Sequence, residues 1–453
     1  MFHSINPYNQ QIIASYQEVR QEELTLIVQK ASLSFHQWKL LNYKVRSTLF
    51  FKMAELLRKN LDRYAILISS EMGKIIRESR SEIEKCAWLC EYYAENAEQF
   101  LEKEYINTDA VNSYIRFDPM GVVYAIMPWN FPFWQVLRAA VPTMMAGNTM
   151  VLKHAPNVMG CALTIEKLFL DAGFPENVFR NLAIPIELSE QVIAHPAICG
   201  VTLTGSLRAG SIVASQAGKY LKKCVLELGG SDPYIVLNDA DINQACKTGV
   251  SSRMLNSGQV CISAKRFIVE ANIYDRFVGE QKVLLQNLRL GNPLSEETEM
   301  GPMAREDLLI NIERQIKESV AMGAKVIIGG QRLKNDTWFF EPTLITNVTK
   351  EMPVYHEETF GPVSVIIKAR DSEDAIKIAN DTAMGLGASI WTQNLALAEK
   401  MAAQIEAGAV FINGMTKSDP RLPFGGTKQS GFGRELGSYG IKEFVNIKTV
   451  WVK

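Results

Sequence analysis

The chain has 453 residues, of which 47% are hydrophobic and 21% charged, with a formal net charge of −1. These are the proportions of a globular protein long enough for two or three domains. With Lys and Arg scattered and nearly balanced by Asp and Glu, recognition of nucleic acid or of an acidic membrane surface by charge alone is excluded. No apolar run reaches the ~18 residues that a membrane-spanning helix needs. The opening Met1-Phe-His-Ser-Ile-Asn-Pro has neither the basic region nor the apolar core of a secretory signal, so a cytoplasmic protein is expected. The seven cysteines are odd in number and far apart, which points to reduced thiols rather than a disulfide framework. Without a Cys-x-x-Cys pair or clustered histidines, no metal site is expected.

From about residue 20 to 105, stretches rich in Leu, Glu, Lys, Arg and Ala predict helices. Ile115 to Ile126 predicts two strands around an Asp-Pro-Met-Gly turn. A loop follows at Pro128-Trp-Asn-Phe-Pro132, then a helix to about Ala146. Thr149 to Lys153 is a short apolar strand, and Asn157 to Ala172 is a helix with Asn157 as its N-cap. Gly200 to Thr204 and Lys223 to Leu228 are further strands, joined by a helix from about Ser206. A second strand-helix series runs from Tyr234 to about Phe411. Such alternation predicts parallel, doubly wound α/β domains. Glu443 to Lys453 alternates like a strand without an obvious neighbour, which suggests pairing with another subunit, together with a hairpin near 112–126.

Several residues along this framework have the chemistry of a site. Cys261, in Ser257-Gly-Gln-Val-Cys261, follows small residues that leave a thiol open to attack a substrate, although a lone cysteine is more often a small core hydrophobe. Glu227, in Leu226-Glu-Leu-Gly-Gly230, is an acid ending an apolar strand. It is either a chemically active carboxylate or a strand-end residue facing solvent. Asn130 sits in a loop stiffened by Pro128 and Pro132, where its amide suits an oxyanion, or else satisfies loop backbone. No Gly-x-Gly-x-x-Gly follows a strand; Gly431-Phe-Gly433 with Gly437 has the wrong spacing. Val201-Thr-Leu-Thr-Gly-Ser206 instead leads a strand into a helix, where the amides of Gly205 and Ser206 suit a phosphate.

Taken in order, PWNFP (128–132), TMVLK (149–153), TGS (204–206), LELGG (226–230), GQVC (258–261), EETFGP (357–362) and PFGGTKQSGFGRE (423–435) resemble the aldehyde dehydrogenase superfamily across most of the chain. The whole pattern is most similar to the shorter bacterial succinate-semialdehyde dehydrogenases. The resemblance implies a variant Rossmann cofactor domain without the three-glycine fingerprint over 1–226, with an oligomerisation hairpin near 112–126. It further implies a second α/β catalytic domain over 227–425, and a return segment and oligomerisation strand over 426–453. It makes Cys261 the nucleophile, with Asn130 and the Cys261 amide stabilising the oxyanion, and Glu227 the base that hydrolyses a thioester. Glu358 would hold the nicotinamide ribose with Phe360 beside the ring. Lys153 would contact the adenine ribose, and Trp129 and Ser206 would lie near the pyrophosphate.

Cofactor and substrate expectations also follow from the resemblance. Many NAD-preferring relatives carry Glu three residues after the lysine; here that residue is Pro156, with His154 a neighbour, and NAD is favoured with NADP possible. Arg138, eight residues after Asn130, matches an arginine that holds the distal carboxylate of semialdehydes. A second arginine used by some relatives is replaced by Leu255, and Ser418 and Arg421 either complete the anion site or belong to a solvated loop. The expected reaction is NAD(P)-dependent oxidation of succinate semialdehyde by a homodimer or homotetramer. The alternatives are another short aldehyde, such as glutarate semialdehyde or a hydroxyaldehyde, and a non-catalytic descendant that keeps the fold.

Overall fold

The computed structural model describes residues 1–334 and 337–453. An N-terminal antiparallel pair, Phe2–Ile5 with Ile12–Tyr16, precedes four helices: Gln21–Trp38, Tyr43–Lys59, Leu61–Met72 and Ile76–Phe100. The N-terminal pair was not foreseen, because its outer strand is too exposed to show a buried period. Among the described residues no helix is long and apolar enough to cross a membrane.

Six strands form the first large sheet, in the spatial order Gly431–Phe432, Lys223–Glu227, Ile198–Thr204, Val122–Met127, Thr149–His154 and Phe179–Asn181. All are parallel except the first. Taken in chain order, the five parallel strands run 3-2-1-4-5, so the winding reverses between Val122–Met127 and Ile198–Thr204. Ligands of doubly wound sheets bind beyond the carboxyl ends of the strands at this switch point. Those ends lead directly into Trp129 and Asn130 on one side and Gly205 and Ser206 on the other.

The second sheet has seven strands in the order Lys325–Ile328, Thr343–Thr346, Val363–Ala369, Arg266–Glu270, Pro233–Val236, Gly387–Trp391 and Ala409–Ile412, again parallel but for the first. The segments that precede Arg266–Glu270 and Val363–Ala369, residues 255–265 and 357–362, lie at its amino edge. Hydrogen bonds from residues 130 and 230 reach these two segments, so the amino edge of one sheet faces the carboxyl edge of the other. The chain is α/β with two such sheets, as its pattern predicts.

A third sheet joins Val445–Val452, Asn112–Pro119 and Glu104–Tyr105. This corrects two expectations. Asn112–Pro119 and Val122–Met127 are both strands, but they do not form a hairpin; they belong to different sheets. Val122–Met127 is apolar on both faces, as a central parallel strand must be, whereas Asn112–Pro119 is half exposed. The C-terminal strand finds its partner within its own chain, in an eight-residue register from Val445 opposite Pro119 to Val452 opposite Asn112. Its outer edge remains open, with Ile447, Trp451 and Val452 exposed. The N-cap expected at Asn157 is also not seen: Pro156–Val158 forms a 3-10 turn, and helix Met159–Asp171 starts beyond it without a side-chain cap.

Candidate active site

The segment carrying Cys261 is strained and then locked. Helix Ile242–Met254 ends in Asn256, Ser257 and Gly258, all in the left-handed region at φ 53°, 55° and 75°. Two non-glycine residues there cost free energy that the surroundings must over-determine. They do. The buried guanidinium of Arg253 donates to the carbonyls of Val363 at 2.6 Å, Thr359 at 2.7 Å and Gly258 at 3.3 Å, and to the Gly361 carbonyl and the Ser263 hydroxyl. One cation thus binds the 255–265 segment to the 357–362 segment. A Cβ at Gly258 would collide with the Gly361 carbonyl, so this close approach admits only glycine.

Buried Lys265 works from the other side. Its ammonium donates to the carbonyls of Val260 at 2.9 Å and Cys261 at 2.6 Å, and lies 3.4 Å from the Glu358 carboxylate. Glu358 also accepts from the Gly230 amide at 3.1 Å. Its neighbour Glu357 turns away to Arg314 and Gln315. Of the two adjacent acids, Glu358 is therefore the one held at the junction of the sheets.

Asn130 is held as a donor. Its Oδ1 accepts from Gln135 at 3.0 Å, which orients the amide, and its Nδ2 donates one hydrogen to the Gln259 carbonyl at 3.0 Å. The second N–H has no partner among the described residues, which leaves it to serve an oxyanion. Asn256 completes the link by donating to the Asn130 carbonyl at 2.9 Å.

Burial pushes the Cys261 thiol up to about 12, against the lowering pull of Lys265 and Arg138. Glu227 ends strand Lys223–Glu227, buried, with no hydrogen-bond partner for either carboxylate oxygen among the described residues. Desolvation, then the nearby Glu435 carboxylate, raises it to about 8; Arg138 and Arg434 pull the other way. Glu227 and Cys261 lie close enough to perturb each other electrostatically.

Arg138 lies on helix Trp134–Met145. It forms an ion pair with buried Glu435, stacks 4.8 Å over the Phe424 ring and donates to Thr204 at 3.2 Å. The cost of burying this arginine, which from sequence argued for a substrate carboxylate, is thus met inside the chain. A cavity of about 750 Å³ opens on Cys261 and is lined by Phe131, Trp134, Arg138, Phe424, Ser418 and Lys85 among others. Ser418 faces this cavity and accepts from Lys85 at 2.8 Å, whereas Arg421 lies outside the lining, paired with Asp419.

At the switch point, Ser206 caps the 13-residue helix Leu207–Lys219 by accepting from the Ala209 amide, leaving its O–H free to donate. The Gly205 amide is used by the Glu227 carbonyl at 2.9 Å, so among the described residues Ser206 rather than Gly205 supplies the free donor. Trp129 and Phe360 meet edge to face at 5.9 Å. Lys153 lies on strand Thr149–His154, its pKa lowered by burial, and Pro156 opens the turn beyond it. His154 is a structural tie. One ring nitrogen takes the Ala155 amide at 2.9 Å, the other donates to the Pro132 carbonyl at 2.9 Å, and burial lowers its pKa to about 4. No local pattern marks Arg253, Lys265, Gln135, Lys85 or Glu435 as site residues, because all but Gln135 act through partners distant in the chain.

Comparison with known proteins agrees with this layout. The profile of the aldehyde dehydrogenase family matches residues 1–450. The chain is 47% identical over 449 residues to a probable succinate-semialdehyde dehydrogenase [NADP(+)] of Synechocystis sp., covering 99% of each. It is 44% identical to the succinate semialdehyde dehydrogenase [NAD(P)+] Sad of Escherichia coli, covering 99% of this chain and 97% of the other. A crystal structure of succinic semialdehyde dehydrogenase from Streptococcus pyogenes in complex with NADP+ superposes with a TM-score of 0.98 at 38% identity, over 100% of both chains. With a family profile matched from end to end and the fold shared throughout, this chain belongs to the aldehyde dehydrogenase family.

Proposed function

We propose that this chain oxidises succinate semialdehyde to succinate with NAD(P)+, through a thioester on Cys261. The observation that carries the reading is the cavity, which ends at Cys261, is walled by aromatic rings and presents cations to an aldehyde bearing a distant carboxylate. The curated relatives named for this activity support it.

The residues at the switch point fit a dinucleotide. A free hydroxyl caps a helix N-terminus suited to a pyrophosphate, Glu358 faces the junction of the sheets, and Phe360 with Trp129 forms an aromatic wall. Lys153 serves the adenine ribose. Pro156 leaves no carboxylate to repel a 2'-phosphate, so both NAD and NADP are used. When bound, the nicotinamide supplies the hydride acceptor.

Cys261 gives up its proton to water in the cavity as its sulfur adds to the aldehyde carbon, and the free N–H of Asn130 with the Cys261 amide holds the resulting oxyanion. Loss of hydride from that carbon leaves a thioester. Glu227 then takes a proton from water, which attacks the thioester carbonyl and releases the acid and the thiol. A buried carboxylate raised to about 8 is poised to accept a proton near neutral pH. The open edge of Val445–Val452 and its exposed apolar side chains suit pairing with a second copy, giving a homodimer or homotetramer. Seven unpaired cysteines suit the reducing cytoplasm.

The test is the absorbance of reduced nicotinamide with succinate semialdehyde or uncharged butanal, each with NAD+ and NADP+. A kcat/KM at least about tenfold higher for the carboxylated aldehyde is expected, a difference of one charge-assisted contact. Equal turnover of both aldehydes would remove the substrate assignment, and no reduction with any aldehyde would restore the non-catalytic alternative.

A further inference from the structure

Lys265 is buried, and each of the three hydrogens of its ammonium has an acceptor. Two go to the carbonyls of Val260 at 2.9 Å and Cys261 at 2.6 Å, and Glu358 stands 3.4 Å away for the third. Nothing remains for a substrate, so this cation acts only through the groups it holds. Burial opposes its charge, whereas the Glu358 and Asp232 carboxylates favour it. Asp232 is itself engaged, accepting from the Gly387 amide at 3.0 Å.

The two carbonyls belong to the peptides on either side of the Cys261 Cα. The Val260 carbonyl and the Cys261 amide are the two ends of one planar trans unit, in which C=O and N–H point in opposite directions. With the carbonyl turned to Lys265, the N–H is turned away from it. That N–H has no acceptor among the described residues, whereas the Gln259 amide two residues earlier is taken by the Asn256 carbonyl at 3.1 Å. A cation on a carbonyl draws electron density from the peptide nitrogen and makes its N–H a stronger donor, as bonds in a hydrogen-bonded chain polarise one another. The Val260 carbonyl also accepts from the Ser263 amide at 3.4 Å, a longer and neutral contact. The second bond of Lys265, to the Cys261 carbonyl, keeps the next peptide from turning, so the Cys261 backbone is fixed on both sides.

Resting on the thioester chemistry proposed for Cys261, we propose that Lys265 is a positioning residue for the oxyanion. It polarises and orients the peptide joining Val260 to Cys261, whose N–H meets the oxygen of the thiohemiacetal and then of the thioester. Asn130 supplies the other N–H from a neutral amide oriented by Gln135. The site thus pairs a neutral donor with one strengthened by a buried cation, and the charge stays behind the peptide, out of contact with the anion.

The test uses the Glu227→Gln enzyme, in which the thioester accumulates, with and without Lys265→Met. Each is mixed with NADP+ and succinate semialdehyde isotopically labelled at its aldehyde carbon. Two quantities are read: the rate of the first turnover of nicotinamide and the infrared stretch of the labelled thioester carbonyl. Losing an oxyanion donor outright costs about 10²- to 10³-fold in rate, so weakening one through its peptide is expected to slow the first turnover about tenfold. The carbonyl band should move to higher frequency, because a weaker hydrogen bond lengthens the C=O bond less. Lys265→Arg, which returns a cation, should restore both readings. If Lys265→Met does not fold, Lys265→Gln takes its place, with the same directions expected. A band that stays put in the neutral variant would overturn the proposal, whatever happens to the rate. Failure of arginine to restore the band would overturn it too, since size rather than charge would then matter. A loss confined to the KM for NADP+ would show that Lys265 serves Glu358 instead. Absence of any thioester in the Glu227→Gln parent would overturn the proposed reaction itself, and this role with it.

Discussion

The Cys261 segment and the carboxyl end of strand Lys223–Glu227 are both buried and polar, yet they are built in opposite ways. Around Cys261 the carbonyls near the strained turn are claimed: Arg253 and Lys265 between them bind those of Gly258, Val260, Cys261, Thr359, Gly361 and Val363. Around Glu227 no side chain among the described residues donates to the carboxylate, a second carboxylate stands nearby, and one arginine serves that neighbour. A fully satisfied network makes a segment rigid, whereas an unsatisfied charge in a low dielectric has its proton affinity raised. In the proposed chemistry the first region positions a nucleophile and the second keeps a base poised.

Substitutions should separate the two. The largest effect is expected from Arg253→Met, which strands several buried carbonyls at once. It should lower stability by about 3–5 kcal/mol in urea unfolding and abolish activity with it. Glu227→Gln should behave differently, lowering kcat by about 10²- to 10⁴-fold, the range for a general base, while the unfolding midpoint stays level or rises. A clear loss of stability in Glu227→Gln would erase the contrast.

The pH profile sharpens it further. A base works only when ionised, so kcat should rise with pH through about 8, the value to which burial and Glu435 bring Glu227. Because Glu435 raises Glu227, Glu435→Gln should move that rise to lower pH, as Arg138 is then left to favour the ionised form. A midpoint that stays in place would show that the two carboxylates do not interact. The smallest effect belongs to Ser206→Ala, which removes one helix cap. It should cost about 1 kcal/mol of stability and weaken dinucleotide binding, read by fluorescence titration, without moving the pH profile.

Much of this was legible locally. The apolar strands, the small residues before Cys261 and the Gly205-Ser206 step into a helix are short-range features, and each lies where its pattern implies. What was not legible depends on contacts far along the chain. Arg253 finds Thr359 and Val363 at separations of 106 and 110 residues, which no spacing rule reveals. The turn at Asp118-Pro-Met-Gly121 looked like a hairpin because two strands flank it. Local alternation cannot tell that one strand enters a buried parallel sheet while the other pairs with the C-terminus. Arg138 shows the same limit: its burial was visible, but its partner Glu435 was not.

The most direct measurement is rapid mixing of the Glu227→Gln enzyme with succinate semialdehyde and NADP+, followed by peptide mass spectrometry. The proposed chemistry requires a burst of one reduced nicotinamide per chain, then near-arrest, with a succinyl group on Cys261. Steady turnover without an adduct, or a succinyl group on another cysteine, would contradict a thioester at Cys261 hydrolysed with Glu227 as base.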